Sequence, residues 1–174
     1  LTSRSFQTRG APATRESWVE ALDGQWGLTD ITVDDRIVAE LQAALASGRR
    51  TITVAIRDDS LVVAAWPGLR DRALGVAVDV GSTTIAGHLC DLATGTVLAT
   101  AGAMNPQIRF GEDLMSRVSY VMMNPGGEVA LTNAVREVLD SLLGDLCVQA
   151  GAERDEVLEL VLVGNPVMHH LFLG

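Results

Sequence analysis

Lysine is absent from this sequence: all 13 basic residues are arginine, and 22 residues are acidic. The absence excludes, within this segment, a P-loop lysine, a Schiff-base lysine and a serine–lysine dyad. The net charge of -9 opposes electrostatic attraction to nucleic acid and to anionic lipid. We therefore expect neither nucleic acid nor a membrane surface among the partners.

Cysteine is also scarce, since only Cys90 and Cys147 occur and they form no CxxC pair. This chain alone therefore cannot provide a four-cysteine zinc site or iron–sulfur cluster, and two free thiols in a reducing cytosol are expected. No run approaches the roughly 18 apolar residues of a membrane helix, and no secretory leader is recognisable, so the expected location is cytoplasmic. Because the chain lacks an initial Met and stops directly after an apolar stretch, we expect it to be truncated at both ends.

The composition is otherwise that of a globular protein, with 48% apolar and 20% charged residues in a chain of 174. Residues 1–12 are polar and predict a linker or edge segment. Helices are predicted from Glu16 to Leu22, where Gly24 and Gly27 interrupt, and from a capping-box pattern at Thr32 to a stop at Gly48. Strands are predicted over 51–56 and 61–66, joined by a turn at 58–60. A charged, turn-rich segment then predicts a domain boundary near Arg72.

The second part of the chain predicts three strands joined by short turns, which must be antiparallel neighbours. Two helices, a short buried strand and the start of another helix follow them. The predicted ranges are strands 73–80, 85–92 and 96–103, helices 111–122 and 128–150, and strand 157–163.

The most informative segment is an apolar strand that ends in Asp79 and is followed by Gly81, Ser82, Thr83 and Thr84. Glycine allows the backbone to approach a ligand, while backbone N–H groups and hydroxyls offer donors to phosphate oxygens. A carboxylate at the strand end can hold a hydrated divalent cation beside them. The segment predicts a site for nucleotide phosphate; a polar β-turn without a ligand is the alternative.

Within this strand pattern, the segment from Asp79 to Thr84 resembles the first phosphate motif of acetate and sugar kinases, heat-shock ATPases and actin (the ASKHA superfamily). Further segments resemble the reductive activators of corrinoid proteins; they are 105–107, 111–113, 116–117, 161–165 and 168–169. Two positions depart from the pattern: Ser82 stands where threonine is commoner, and Pro166 stands where the family commonly has a hydroxyl residue. The second departure puts any polar role near position 166 in doubt.

The resemblance implies an α/β architecture. Residues 1–72 would form a linker and small α/β middle domain, and residues 73–174 the first, ribonuclease-H-like subdomain of an ASKHA-type ATPase domain. Gly81 to Thr84 would bind phosphates and Asp79 would orient Mg²⁺ through water. Residues that face the cleft or a partner would be Asn105, Gln107, Asp113, Arg117, Gly164 and Asn165. The alternative is that these residues have only structural roles, in a loop, as a helix cap and as an Asp113–Arg117 ion pair at i,i+4 spacing.

The function implied is ATP-dependent return of the Co(II) corrinoid protein of a methyltransferase system to Co(I). ATP and Mg²⁺ would be the cofactors, and a [2Fe–2S] cluster would lie in an upstream ferredoxin-like domain. The corrinoid protein would be the partner, and a homodimer is allowed. Two other classes stay open: a sugar or carboxylate kinase of the same superfamily, and a non-enzymatic scaffold with a vestigial nucleotide loop. Activity is expected of the whole protein and not of this segment alone.

Overall fold

A computed structural model describes residues 2–7, 14–47 and 51–173 of the chain. The chain divides into two compact units, Leu1–Ala73 and Leu74–Gly174. Each unit has its own four-stranded sheet and its own apolar core. The predicted α/β class is therefore confirmed for both parts of the chain.

The first unit places two helices on a mixed sheet. Its elements are β1 (Thr2–Gln7), α1 (Arg15–Trp26), β2 (Thr32–Val33), α2 (Asp35–Ala46), β3 (Thr51–Arg57) and β4 (Leu61–Pro67). The strand order is β1-β3-β4-β2, with β3 antiparallel to both of its neighbours and β2 parallel to β4. Its core combines residues at helical spacing with the alternating residues of the strands; the most buried are Trp18, Leu22, Val33, Ile37, Leu41, Ile52, Val54, Ile56 and Val62.

Two predictions for the helices of this unit are wrong. Helix α1 continues through Gly24 to Trp26 and is capped by Gly27, whose left-handed backbone lets its N–H donate to Asp23 O at 2.7 Å. Thr32 lies in strand β2, and it is the Asp34 carboxylate that accepts from the N–H of Arg36 in the first turn of α2. A glycine inside a helix is tolerated where the helix has a buried face to pack, and α1 has one.

The remaining predictions for this unit concern its N-terminal segment, the end of α2 and the hairpin of β3 and β4. Residues 2–7 form an edge strand, which is one of the two readings offered, while residues 8–13 and Gly48 lie outside the described part of the chain. The predicted hairpin of β3 and β4 is confirmed. Its turn contains Asp58 and Asp59, both with φ of 51°, and two such residues twist a turn to match the strands.

The second unit is built on an antiparallel meander followed by a long helix and a parallel strand. Its elements are β5 (Leu74–Val80), β6 (Thr84–Asp91), β7 (Val97–Met104), a 3₁₀ turn (Pro106–Phe110), α3 (Leu114–Met123), α4 (Gly127–Ala150), a 3₁₀ turn (Arg154–Glu156), β8 (Val157–Gly164) and α5 (Pro166–Leu173). The strand order is β7-β6-β5-β8, and β8 is parallel to β5. The antiparallel arrangement predicted for the three consecutive strands is confirmed, and the unit has the expected ribonuclease-H-like order.

Helix α4 covers one face of this sheet. Val135, Leu142 and Leu146 belong to the buried cluster that includes the inward residues of β5. Gly87 on β6 permits the close approach, because a Cβ there would lie 2.9 Å from Cδ2 of Leu142. Ala77 and Asp79, at alternate positions of β5, are exposed on the opposite face.

The helix predicted over 111–122 begins three residues later in the structure. It is α3, from Leu114 to Met123, and a 3₁₀ turn that was not predicted precedes it over Pro106–Phe110. The turn and the helix each have a cap: Asn105 accepts from the N–H of Gln107, and Asp113 accepts from the N–H of Ser116. Asp113 is therefore the N-cap of α3 and does not lie in its first turn.

Both thiols are free, with Cys90 half-buried on β6 and Cys147 buried in α4. Over residues 2–7, 14–47 and 51–173, no helix combines the length and the apolar character needed to cross a bilayer.

Candidate functional site

The candidate site lies at one edge of the second sheet. Strands β5 and β8 run parallel, with Asp79 opposite Val163 and Val80 opposite Gly164, so their carboxyl ends meet. The segment 81–83, named the phosphate loop after the role that the sequence predicts for it, leaves β5 at this edge and leads into β6. Asn165 follows β8 at the same edge. The structure therefore brings Asp79, the loop and the 164–165 segment together, although they are about 80 positions apart in the sequence.

Close contacts with backbone atoms require glycine at one position of this edge and favour it at a second. A Cβ on Gly81 would lie 2.5 Å from the carbonyl oxygen of Thr84, so the tight connection to β6 excludes any larger residue. A Cβ on Gly164 would lie 3.0 Å from the carbonyl oxygen of Val80, which brings β8 against the root of the loop. Both contacts are to backbone atoms, which cannot move aside as a side chain can.

All three carbonyl groups of the phosphate loop are bonded from beneath. Gly81 O accepts from Nδ2 of Asn105 at 2.8 Å, and Thr83 O accepts from the backbone N–H of Asn105 at 2.8 Å. Ser82 O, between them, accepts from a terminal nitrogen of Arg117. Because carbonyl oxygens repel phosphate oxygens, holding them inward leaves donors on the outer side of the loop.

The outer side of the loop is polar and accessible. Asp79, Thr83 and Thr84 are exposed, and Ser82 is half-buried. Within the described ranges, neither the Asp79 carboxylate nor these three hydroxyl groups is engaged in a hydrogen bond. A carboxylate beside three hydroxyl groups is a donor set that fits hydrated Mg²⁺ and phosphate oxygens.

Asn105 and Gln107 are buried beneath the loop, at 1% and 0% exposure. Gln107 donates from Nε2 to Leu131 O at 3.0 Å, which ties the 3₁₀ turn to α4. A second contact from the same nitrogen reaches Leu171 O on α5 at 3.5 Å. Neither side chain faces solvent in this unit, so what they contact directly is the underside of the loop and the adjoining helices, not an open cleft.

Arg117 is also completely buried, on the side of α3 that faces the loop. Besides Ser82 O it donates to Gly111 O at 2.9 Å, Gln107 Oε1 at 3.4 Å and Sδ of Met168 at 3.5 Å. Burial lowers the pKa of its guanidinium, and the charge of Asp113 raises it in part. Asp113 and Arg117 therefore do not form the i,i+4 ion pair considered above. The Arg117 side chain donates to carbonyl oxygens, and the Asp113 carboxylate attracts it only at longer range.

Asp113 and Asn165 act as helix caps. Asp113 is exposed, and the backbone N–H of Ser116 lowers the pKa of its carboxyl. Asn165 accepts from the N–H of Met168 at 3.0 Å, so it begins α5 at the edge where the phosphate loop lies. Pro166 is the first residue of α5, a position where the missing N–H of proline has no structural consequence.

Sequence reasoning located these residues but missed how three of them are placed. The inward orientation of Asn105, Gln107 and Arg117 depends on contacts with backbone carbonyls that are 24 to 64 positions away, apart from the contact of Arg117 with Gly111 O, and no local pattern reports them. One signal was available for Arg117. It lies between Leu114 and Val121 at helical spacing, on the apolar side of α3, where an arginine is buried only if its donors are bonded.

The fold and this loop define a mixed α/β protein whose second unit presents a glycine-containing polar turn at the carboxyl edge of a ribonuclease-H-like sheet. Two family models match it, one described as the RACo linker region over residues 16–72 and one as the RACo middle region over residues 74–174. The chain belongs to this family of corrinoid reductive activators. The family's term "middle" falls on residues 74–174, whereas our sequence-based assignment places a middle domain within 1–72.

Two known proteins are similar to the chain. The corrinoid activation enzyme RamQ of Eubacterium limosum is 33% identical over 99 residues, which cover 57% of this chain and 17% of that protein. A solved structure titled reductive activator for corrinoid, iron–sulfur protein matches 99% of this chain and 29% of its own, with a TM-score of 0.75 and 30% identity. The chain thus spans less than a third of the length of either relative.

Proposed function

We propose that the chain is the part of an ATP-dependent reductive activator that binds the phosphates of the nucleotide. Residues 74–174 would be the first subdomain of an ATPase domain, with residues 1–72 as the linker and small domain before it. The observation that carries the proposal is the phosphate loop, with its three carbonyls bonded from within and its hydroxyl groups outside. Membership of the corrinoid activator family supplies the reaction.

In this proposal Gly81 to Thr84 bind phosphate oxygens through backbone N–H groups and hydroxyls, and Asp79 holds Mg²⁺ through water. The Mg²⁺ neutralises part of the phosphate charge when it is bound. Gly164 and Asn165 form the neighbouring wall of the cleft. Asp113 lies at the exposed end of α3, where a partner domain could contact it.

The reaction proposed is the transfer of one electron to Co(II) of a corrinoid protein of a methyltransferase system, which gives Co(I). ATP hydrolysis drives the uphill transfer by changing how the two proteins bind each other. The electron donor would be a [2Fe–2S] cluster elsewhere in the whole protein. The present chain does not fit such a cluster, since it has two cysteines and they lie on different elements of the second unit.

The test is Asp79→Asn in the whole protein, with Asp145→Asn on the exposed side of α4 as the matched control. We expect Asp79→Asn to lower the rate of Mg·ATP-dependent Co(I) formation, followed by absorbance, by roughly 100-fold or more. The reason is that an amide of the same shape cannot hold the hydrated cation. Asp145→Asn makes the same change in net charge and should leave the rate unchanged.

Two results would contradict the proposal. If Asp79→Asn supports Co(I) formation at the rate of the unaltered protein, Asp79 does not hold the cation. If the unaltered protein consumes ATP only when a sugar or a carboxylic acid is added, the protein is a small-molecule kinase of the same superfamily.

A further inference from the structure

Arg117 is a buried cation whose bonded partners are all formally neutral. Its donors reach two carbonyl oxygens, an amide oxygen and a thioether sulfur. In the described part of the chain, the salt bridges found are Arg15–Asp35 and Arg154–Asp140, and neither involves Arg117. A guanidinium remains charged in proteins even when burial disfavours its charge. The second unit therefore holds a positive charge to which no carboxylate is bonded, and Asp113 attracts it only at longer range.

This charge lies directly beneath the phosphate loop. Arg117 bonds the carbonyl oxygen of Ser82, and the N–H at the other end of the same peptide group belongs to Thr83. A cation that donates to a carbonyl polarises the peptide and makes its N–H a stronger donor. The guanidinium therefore increases the attraction of the loop for an anion without touching that anion.

The surroundings hold the guanidinium in place. Gln107 accepts from Arg117 and is itself bonded to Leu131 O, and Asn105 bonds the loop carbonyls on either side of Ser82. Lysine is absent from the whole sequence, so no ammonium group of this chain can serve the phosphates. A buried charge remains costly unless an opposite charge lies close enough to compensate for its lost hydration. A bound polyphosphate would do so.

We infer that Arg117 is a positioning residue for phosphate binding: it fixes the Ser82–Thr83 peptide from beneath and supplies the positive charge that a lysine provides in other phosphate loops. The inference rests on the proposed function, since it concerns the same loop and the same ligand. Beyond the proposed function, it assigns Arg117 a role that is exerted through the loop, and it explains why a charged side chain is buried there.

The test separates the charge of Arg117 from its packing by altering its neighbour. Gln107→Glu keeps an oxygen 3.4 Å from the guanidinium but neutralises it, whereas Gln107→Met removes the same amide donors without adding charge. Mg·ATP is titrated into the whole protein and its Kd is measured by calorimetry. We expect Gln107→Glu to raise the Kd about 10-fold or more above that of Gln107→Met.

A purely structural role predicts the opposite order. The Glu variant would retain a partner for Arg117, so it should be at least as stable as the Met variant and should bind Mg·ATP at least as well. Thermal unfolding of both variants verifies that the comparison is made between folded proteins. Equal Kd values, or tighter binding by Gln107→Glu, would overturn the inference.

Substitution of Arg117 itself gives a second measurement. Arg117→Lys retains the charge and should keep a lower Kd than Arg117→Met, while Arg154→Met, at the opposite end of β8, should bind like the unaltered protein. Failure of Lys to improve on Met would overturn the inference. If the unaltered protein does not bind Mg·ATP, the proposed function falls and the inference with it; if it binds and these variants do not differ, the inference alone falls.

Discussion

The two units bury polar side chains in different ways. In the first unit, the buried polar side chain among the described residues is Thr53, which donates to Gly68 O and accepts from the N–H of Arg70. The second unit buries five, and three of them, Asn105, Gln107 and Arg117, form the network beneath the phosphate loop. Buried polar groups add little net stability even when they are bonded.

This contrast indicates which unit holds the functional residues. The first unit has an apolar core that needs only size and hydrophobicity, and such cores hold a fold together. The second unit has the same kind of core under α4 and, in addition, a polar network whose bonds converge on three consecutive backbone carbonyls. A network of that kind fixes the geometry of one loop more than it stabilises the unit.

The comparison is tested most strongly by cavities placed in each core. Leu41→Ala and Leu131→Ala remove leucines that are buried to within 1% on α2 and α4. Each should lower the free energy of unfolding by about 2–5 kcal/mol, because the lost contacts leave a cavity. The three tryptophans, 18, 26 and 66, all lie in the first unit. Tryptophan fluorescence of the 174-residue chain in urea should therefore report Leu41→Ala and not Leu131→Ala.

Circular dichroism at the same urea concentrations supplies the matching measurement, since both units contain helix. If Leu131→Ala shifts the fluorescence transition as far as Leu41→Ala does, the two units unfold as one cooperative body. In that case the contrast between their cores would have no meaning for stability.

A smaller effect is expected from two buried polar residues that each make bonds with backbone groups. Thr53→Val and Asn105→Ala should each lower the free energy of unfolding by about 1–3 kcal/mol, because bonded partners are left unsatisfied. Only Asn105→Ala should also weaken Mg·ATP binding by the whole protein, since it releases Gly81 O from the underside of the loop. Calorimetry measures the binding, and Thr53→Val is the control for a general loss of stability. Equal weakening by both variants would show that the polar network has no special relation to the loop.

Much of the fold could be predicted from the sequence, because the elements with strong periodicity are local in origin. The meander β5-β6-β7 follows from short turns between apolar runs, and α4 follows from leucines and valines on one broad face. The predictions at Thr32 and Gly24 are wrong for an equally physical reason. A capping pattern and a helix-breaking residue are weak local preferences, and packing on a buried face overrides both.

The outer half of the site could be anticipated and the inner half could not. Asp79 and Gly81 can be recognised in the sequence as candidate site residues, because of their residue types and their position at the end of a predicted strand. The role of Arg117 depends on which carbonyl oxygens come within reach of its donors once α3, the 3₁₀ turn and α5 are packed. Those contacts are long-range, and residues 114–123 by themselves predict only a surface helix with an arginine on it.

The smallest effect, and the one that probes the edge of the network, concerns the cap of α3. The N–H of Ser116 bonds the Asp113 carboxylate and lowers the pKa of that carboxyl below its ordinary value of 3.8. A group whose pKa is lower in the folded state stabilises the fold at pH values above its unfolded pKa and loses that contribution as the pH falls through the folded value. Asp113→Asn keeps a capping oxygen but cannot titrate. We expect its urea unfolding, followed by circular dichroism, to match that of the unaltered chain more closely at pH 3 than at pH 6.

Glu112→Gln is the control, because it makes the same change in charge one residue earlier and away from the cap. It should behave like the unaltered chain at both pH values. If Glu112→Gln reproduces the effect of Asp113→Asn, the pH dependence reflects the net charge of -9 and not the cap.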